Sequence, residues 1–364
     1  MGTADFNADD HDFRRDYENP EFSKAWDSVK DQLKQKLVIA FLGTASSGKT
    51  SGIKALFDID LGNIHPIPGS TTQVKVFQVE DNVFVADAPG FGDIQKDISQ
   101  KAKDVCNDVD IFVYILNAEG GYKQPEKDDY QSLRSYKRPA LVVLNKIDLL
   151  RDHQKAEFIE DQREKMGVEP ENFIPASFDP HPAISRHPIN LDKVEFWISD
   201  TLKKKGKDLL FAKYAREKDK ICRQWIRVAS AAAAGIGALP IPGSDFIPLT
   251  ALQGALMAKI AYLYGHSISK EDAVALIAQL FATGAGRQIF RLILTSLKAV
   301  GWIPGAGWLM QVAISAAAAS LAASLTWALG ISAQAYYRSG MQIPIADLQD
   351  VFRKAYDEYP LIQG

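Results

Sequence analysis

Cysteine is scarce: Cys106 and Cys222 are the only two in 364 residues, far apart and in no paired spacing. That excludes a disulfide scaffold and a thiolate metal site, and it fits a reducing compartment. Net charge is also lacking. The 42 Lys/Arg and 45 Asp/Glu leave -3 at neutral pH, so the chain as a whole has no electrostatic grip on nucleic acid. The opening MGTADFNADDHDFRR holds no apolar core for a secretory signal, and Phe6 stands where a myristoylation signal needs Ser or Thr. A mean hydropathy of -0.13 is too low for a protein of many membrane spans.

What is present is globular. Hydrophobic residues make up 46% and charged residues 24%, and the length suits two domains rather than one core. The average hides a shift along the chain. Residues 1–20 carry six Asp/Glu against Arg14 and Arg15 with almost no aliphatics, which predicts a mobile acidic tail. Over 21–36, Phe22, Trp26, Val29 and Leu33 recur three and four apart, the mark of an amphipathic helix that needs a surface to cover.

From 37 to about 205, short apolar and β-branched runs alternate with helix-like stretches. The runs are 37–42, 74–79, 83–87, 111–116, 140–145 and 172–177. Their spacing predicts βαβ crossovers and a largely parallel sheet. The runs 74–79 and 83–87 are separated only by Glu80, Asp81 and Asn82, so a hairpin and one antiparallel edge strand are expected.

Beyond 205 the strand pattern ends. Residues 203–227 hold ten Lys/Arg, predicting a strongly basic helix, and then charge nearly vanishes: Asp245 alone between Val228 and Ala258, none between Ala299 and Tyr337. Alanine dominates this all-α half, 206–364. LPIPGSD at 239–245 and GWIPGAG at 301–307 predict two helical hairpins with Pro-Gly corners. Residues 311–330 are long enough to span a bilayer, but alanine and serine contribute little transfer energy. A packed bundle is therefore expected ahead of surface insertion or true spanning, while the basic run before it could meet anionic headgroups.

The chemistry is concentrated in the first half. Gly43-Thr44-Ala45-Ser46-Ser47-Gly48-Lys49-Thr50 fits GxxxxGK[ST] between a strand and a helix. Glycines let successive N–H groups turn inward on phosphates, and the helix N-terminus adds a favourable dipole. Lys49 is placed to reach the β- and γ-phosphates, Thr50 to offer its hydroxyl to Mg²⁺, and Ser46, Ser47 and Ser51 to complete the cradle. Asp87-Ala88-Pro89-Gly90 closes the run 83–87, where a carboxylate can hold a magnesium-bound water and the Gly90 N–H can meet the γ-phosphate. Asn145-Lys146-Ile147-Asp148 closes the run 140–145. An aspartate there accepts from guanine's N1–H and exocyclic amine, an edge adenine does not present. The Lys146 stem can lie along the base, and Ser177 and Phe178 stand where a loop N–H would reach guanine O6.

This ordered set resembles the translation-factor-related GTPases of the Era-like type over residues 37–205. The resemblance implies an α/β P-loop GTPase domain, GTP/GDP and Mg²⁺ as ligands, and a switch-I threonine as a second metal ligand. Distance to the edge strand favours Thr72 for that role, with Thr71 the alternative, so the implied metal set is Thr50, Thr72 and Asp87 and the implied catalytic set is Lys49, Thr72 and Gly90. One position departs from the Ras-like pattern: Phe91 occupies the place of the water-orienting glutamine. A phenyl ring cannot hold the attacking water, so slow intrinsic hydrolysis is expected, raised by a second protomer or a partner.

The helical half resembles the domain that follows the G domain in some bacterial Era-like GTPases and is similar, more loosely, to the helical region of the immunity-related GTPases, carried by Leu239-Pro240-Ile241-Pro242-Gly243 with Asp245, the residues 260–265, and Ile303-Pro304-Gly305. That likeness implies that helix 21–36 packs on the C-terminal helices, and that the chain is a cytoplasmic, nucleotide-dependent homo-oligomer with a peripheral membrane role. The rival readings are a GTP-sensing scaffold that barely hydrolyses, and an Era-like RNA or ribosome factor. The second is disfavoured because no GXXG clamp or RNP-like aromatics follow residue 205, so nucleic acid is not expected as a partner. His181 and His187 lack a third ligand for a metal, and Gly235-Ile236-Gly237 has no strand before it and reads as helix packing.

Overall fold

The computed structural model describes residue 17 and residues 19–57, 75–80, 82–88, 108–134, 136–238, 246–281 and 308–362. These fall into two compact units: one holds Gln32–Lys218, the other the described residues up to Asp31 together with those from Asp219 onward. The first unit therefore runs past position 205.

The first unit is built on a six-stranded sheet of β1 (Leu37–Leu42), β2 (Lys75–Glu80), β3 (Val83–Ala88), β4 (Ile111–Asn117), β5 (Ala140–Asn145) and β6 (Phe173–Pro175), in spatial order β2-β3-β1-β4-β5-β6. Every residue of β1 is buried, as are six of the seven in β4, which explains why these strands read as unbroken apolar runs: helices cover both faces. Four pairings are parallel, and β2 alone runs antiparallel to β3, with a register shift between Gln78 and Glu80. The helices are α2 (Lys49–Phe57), α3 (Gln124–Arg134), α4 (Asp152–Met166), α5 (Leu191–Lys203) and the short α6 (Asp208–Ala212), preceded in the chain by α1 (Pro20–Gln32).

The strand order has a consequence for ligands. From β1 the chain moves to one side to make β3 and to the other to make β4, so the crevice at the carboxyl end of β1 is a topological switch point. In-register pairs align the strand ends there: Leu42 with Ala88, and Asn117 with Asn145. The loops after β1, β4, β5 and β6 thus emerge along one rim.

Here the structure differs from the expected basic helix over 203–227. That segment is three pieces: the end of α5, α6, and the start of α7 (Lys218–Gly237). Two buried carboxylates break it. Asp110, 3% exposed, accepts from Lys207 Nζ at 2.8 Å, from Lys205 Nζ at 3.3 Å and from the Val38 N–H at 3.2 Å. Between these lysines Gly206 adopts φ +65°, which a side chain would resist. Glu195, fully buried, accepts the main-chain N–H groups of Arg216 and Glu217 and ends the second break. Two of the ten basic residues are therefore committed to an internal ion pair rather than to solvent.

The second unit is helical: α1, α7, α8 (Phe246–Leu263), α9 (Lys270–Phe281), α10 (Trp308–Arg338) and α11 (Ile345–Ile362). Small residues set the spacing. A Cβ on Gly330 of α10 would lie 2.7 Å from Ile226 of α7, and one on Gly254 of α8 would lie 2.5 Å from the Phe22 ring of α1. Alanine and glycine at these crossings bring helices close enough to share the burial that larger side chains would block. Polar ties run through the interior. Tyr17 Oη donates to Gln253 Oε1 at 2.6 Å, and Gln253 Nε2 donates to Thr326 Oγ1 at 3.1 Å. The stretch Ala316–Arg338 is long and apolar enough to cross a membrane; an 18-residue part of it has mean hydropathy 1.4, yet 67% of that part is buried inside the protein. The Pro-Gly corners expected at 239–245 and 301–307 lie outside the described residues.

Candidate functional site

The loop from Gly43 to Thr50 follows β1 directly and opens α2. Its glycines are required by geometry. Gly43 has φ +140° and a Cβ there would sit 2.2 Å from the Ile115 carbonyl oxygen; Gly48 has φ +97° and its Cβ would sit 2.2 Å from Asn145 Nδ2. Ser46 adds a left-handed residue at φ 62°. The loop so shaped holds Lys49 by two of its own carbonyls: Nζ donates to Gly43 O at 2.8 Å and to Thr44 O at 3.1 Å. Burial pushes the Lys49 ammonium below its ordinary value, while the Asp87 carboxylate pulls it back up. A cation parked on main-chain carbonyls in a drying site is poised to exchange them for phosphate oxygens.

Asp87 lies near the end of β3. Burial raises its carboxyl above the usual range against the opposing charges of Lys49 and Lys75 and a hydrogen bond from the Thr50 side chain. Hard oxygen donors from Thr50 and Asp87 therefore meet beside the lysine, a set suited to Mg²⁺. The Ser47 hydroxyl is buried with no hydrogen-bond partner among the described residues. A glycine-walled cradle, an exchangeable lysine and an orphaned hydroxyl fit a bound triphosphate with its metal.

The residues expected from the sequence to meet a base converge on the same rim. Asn145, at the end of β5, ties two loops together: its Nδ2 donates to Ser47 O at 2.8 Å, and its Oδ1 accepts the Phe178 N–H at 3.1 Å. Asp148 is held through both oxygens. Ser177 Oγ donates to Oδ1 at 2.6 Å and the His181 N–H donates to Oδ2 at 3.0 Å. Burial pushes this carboxyl up, but the bonds from Ser177, His181 and its own main-chain N–H, with Lys155 nearby, outweigh that and hold it ionised below its usual range. Lys146 takes φ 67°, and its Nζ pairs with Glu119 Oε2 at 2.9 Å. Phe178 is buried, with its ring 3.0 Å from where a Cβ on Gly52 would stand.

The structure thus brings Gly43, Ser46, Ser47, Gly48, Lys49, Thr50, Ser51, Asp87, Asn145, Lys146, Asp148, Ser177 and Phe178 to the rim formed by the carboxyl end of β3 and the loops after β1, β5 and β6. Thr71, Thr72, Gly90 and Phe91 lie outside the described residues. Three contributors carry no motif signal: the His181 N–H, the carboxylate of Glu119 beside Lys146, and Glu126, whose Oε1 accepts from Thr44 Oγ1 at 3.1 Å.

Comparison with known proteins agrees with this geometry. Residues 38–146 match the family described as 50S ribosome-binding GTPase. Over these residues the first unit is similar to P-loop GTPases of the EngB/Era type. Residues 199–359 match a family described only as a domain of unknown function, DUF697. The GTPase domain is similar to the probable GTP-binding protein EngB of Petrotoga mobilis, 28% identical over 135 residues, covering 35% of this chain and 69% of that protein. EngB of Mycoplasmopsis agalactiae is 25% identical over 199 residues, covering 50% of this chain and all of that one. Among solved structures, a probable GTP-binding protein EngB is 20% identical, covering 46% of this chain and 99% of its own, with a TM-score of 0.33.

Proposed function

We propose that the chain is a Mg²⁺-dependent GTPase whose nucleotide state governs self-association and attachment to an anionic membrane surface. The nucleotide half of this reading is carried by one observation: Asn145 joins the loop after β1 to the loop after β6, beside an Asp148 held ionised by Ser177 Oγ and the His181 N–H. Lys49 moves from its carbonyl cradle to the β- and γ-phosphates. Thr50, Asp87 and Thr72 hold the metal, which supplies positive charge against the phosphate oxygens when bound. Asp148 takes guanine's N1–H and amine and the Gly90 N–H meets the γ-phosphate, while the N–H groups of Ser177 and Phe178, expected to reach O6, are given instead to Ile189 O and Asn145 Oδ1, each at 3.1 Å.

Hydrolysis is slow because Phe91 offers no hydrogen bond to the attacking water, and contact with a second protomer or a partner raises it. The membrane half rests on α7, whose exposed positions include Arg223, Arg227 and then Val228, a basic stretch leading into an apolar one. Liposome co-sedimentation with a GTP analogue, with GDP and without nucleotide, beside Lys49→Ala, tests it. Nucleotide-dependent pelleting lost in Lys49→Ala supports the switch; pelleting indifferent to both removes it. Turnover per molecule that climbs with protein concentration supports assembly-activated hydrolysis, and flat turnover supports a GTP-sensing scaffold.

A second reading has its own support. The matched family is described as ribosome-binding, and one similar solved structure is Era in complex with a fragment of 16S ribosomal RNA. These weigh against the sequence-based expectation that nucleic acid is no partner. GTP-dependent migration with ribosomal subunits in a sucrose gradient would favour this reading over the membrane one.

A further inference from the structure

Glu126 is a carboxylate in an expensive position. It stands in the first turn of α3, 3% exposed, and its Oε2 is buried with no hydrogen-bond partner among the described residues. Burial raises its carboxyl, against the hydrogen bond from Thr44 and the nearby Lys123 charge and main-chain N–H. Surface glutamates in a first helical turn suffice to favour the dipole, so helix formation alone does not call for this one to be buried.

Its one side-chain partner points to the reason. Thr44 Oγ1 donates to Glu126 Oε1 at 3.1 Å, from the second residue of the phosphate loop. The carbonyl of that same Thr44 accepts from Lys49 Nζ at 3.1 Å and from the Ser47 N–H at 3.2 Å. One residue thus links a buried carboxylate to the ammonium that awaits the phosphates. Its neighbour Gly43 is fixed on the other side by the Ile115 carbonyl, which leaves a Cβ no room.

We propose that Glu126 is a positioning residue of the phosphate site: through the Thr44 hydroxyl it pins the start of the loop, so that the carbonyls holding Lys49 keep their places before nucleotide arrives. The assignment rests on the guanine-nucleotide reading above. An acceptor at Oε1 is what the arrangement needs, so an amide oxygen in its place preserves it. A loop no longer pinned pays an ordering cost when nucleotide binds, and releases it faster.

The test is the dissociation rate of a fluorescent GDP from the full-length chain, with single-turnover GTP hydrolysis and thermal melting alongside. Thr44→Val and Glu126→Leu are each expected to release GDP about 5- to 20-fold faster, from the loss of one hydrogen bond to a carboxylate. Thr44→Ser and Glu126→Gln, which keep the donor and the acceptor, are expected within about threefold of wild type. The double variant Thr44→Val with Glu126→Leu should be no faster than the worse single one. Thr44→Val removes a half-buried hydroxyl only, so it stays informative if Glu126→Leu fails to fold. If Thr44→Val releases GDP at the wild-type rate, or if the two losses simply multiply, the assignment is overturned and Glu126 serves its helix alone. A wild-type chain that takes up no guanine nucleotide overturns the GTPase reading itself, an outcome distinct from both.

Discussion

The side-chain amide of Asn145 donates to the carbonyl of Ser47 at 2.8 Å, across a sequence separation of 98 residues, while its oxygen accepts the N–H of Phe178. One buried side chain therefore sets the distance between the loop proposed to cradle phosphate and the loop proposed to meet the base. Asn145→Ala removes both bonds and opens a gap under the rim. GTP affinity is expected to fall about 10- to 100-fold, from two buried hydrogen bonds at about 1 kcal/mol each with their desolvation cost. Isothermal titration on the wild type and the variant checks it.

The phosphate loop should tolerate no side chain at Gly43. Its φ is +140° and a Cβ would meet the Ile115 carbonyl at 2.2 Å, so relief requires the strand end itself to move. Gly43→Ala is expected to destabilise the domain by about 2 to 4 kcal/mol and to abolish nucleotide binding. A urea melt followed by a binding assay reads both. An alanine variant that melts and binds like wild type would show that the loop is free to relax.

Asp110 is buried under two lysines, and removing it strands them. Asp110→Ala is expected to cost about 3 kcal/mol, because Lys207 loses its carboxylate, Lys205 keeps only the main-chain carbonyl of residue 110, and the Val38 N–H loses an acceptor. Lys205→Met alone should cost less, since Lys207 still meets the carboxylate at 2.8 Å. Denaturant midpoints at neutral pH discriminate between them.

How much of this was legible in the chain depends on where each cause lies. The strands were legible because burial on two faces forces apolar residues at consecutive positions, and 37–42 and 140–145 read without error at their ends. The phosphate and base motifs were legible because left-handed φ and close backbone approach admit few residue types. The breaks in 203–227 were not. They depend on Asp110, 97 positions before Lys207, and on Glu195, and no local pattern of lysines announces a distant buried carboxylate. Glu126 was invisible for a similar reason, since an acidic residue in a first helical turn is ordinary until its partner Thr44 is located.

Acid should weaken metal-dependent binding earlier than an ordinary carboxylate would predict. Burial holds the Asp87 carboxyl above its usual 3.8, so protonation begins at a higher pH and competes with the metal. Affinity for Mg²⁺·GTP is expected to fall as pH drops through that raised value. Asp87→Asn should bind weakly at all pH values and lack this limb. Asp148 behaves in the opposite sense: its carboxyl is depressed, so the stability it contributes is present above the unfolded-chain value and is lost only as pH falls through the lower folded one. A pH titration of GTP binding separates the two groups.

The central claim is that this rim selects guanine through Asp148. Equilibrium binding of GTP and ATP to the purified chain, beside Asp148→Asn, tests it most directly. The account predicts micromolar or tighter GTP binding and at least about 100-fold weaker ATP binding. It also predicts that the asparagine variant loses GTP and gains affinity for xanthosine triphosphate, whose C2 oxygen accepts where guanine's amine donates. Equal affinity for GTP and ATP, or GTP binding unchanged in Asp148→Asn, would contradict it.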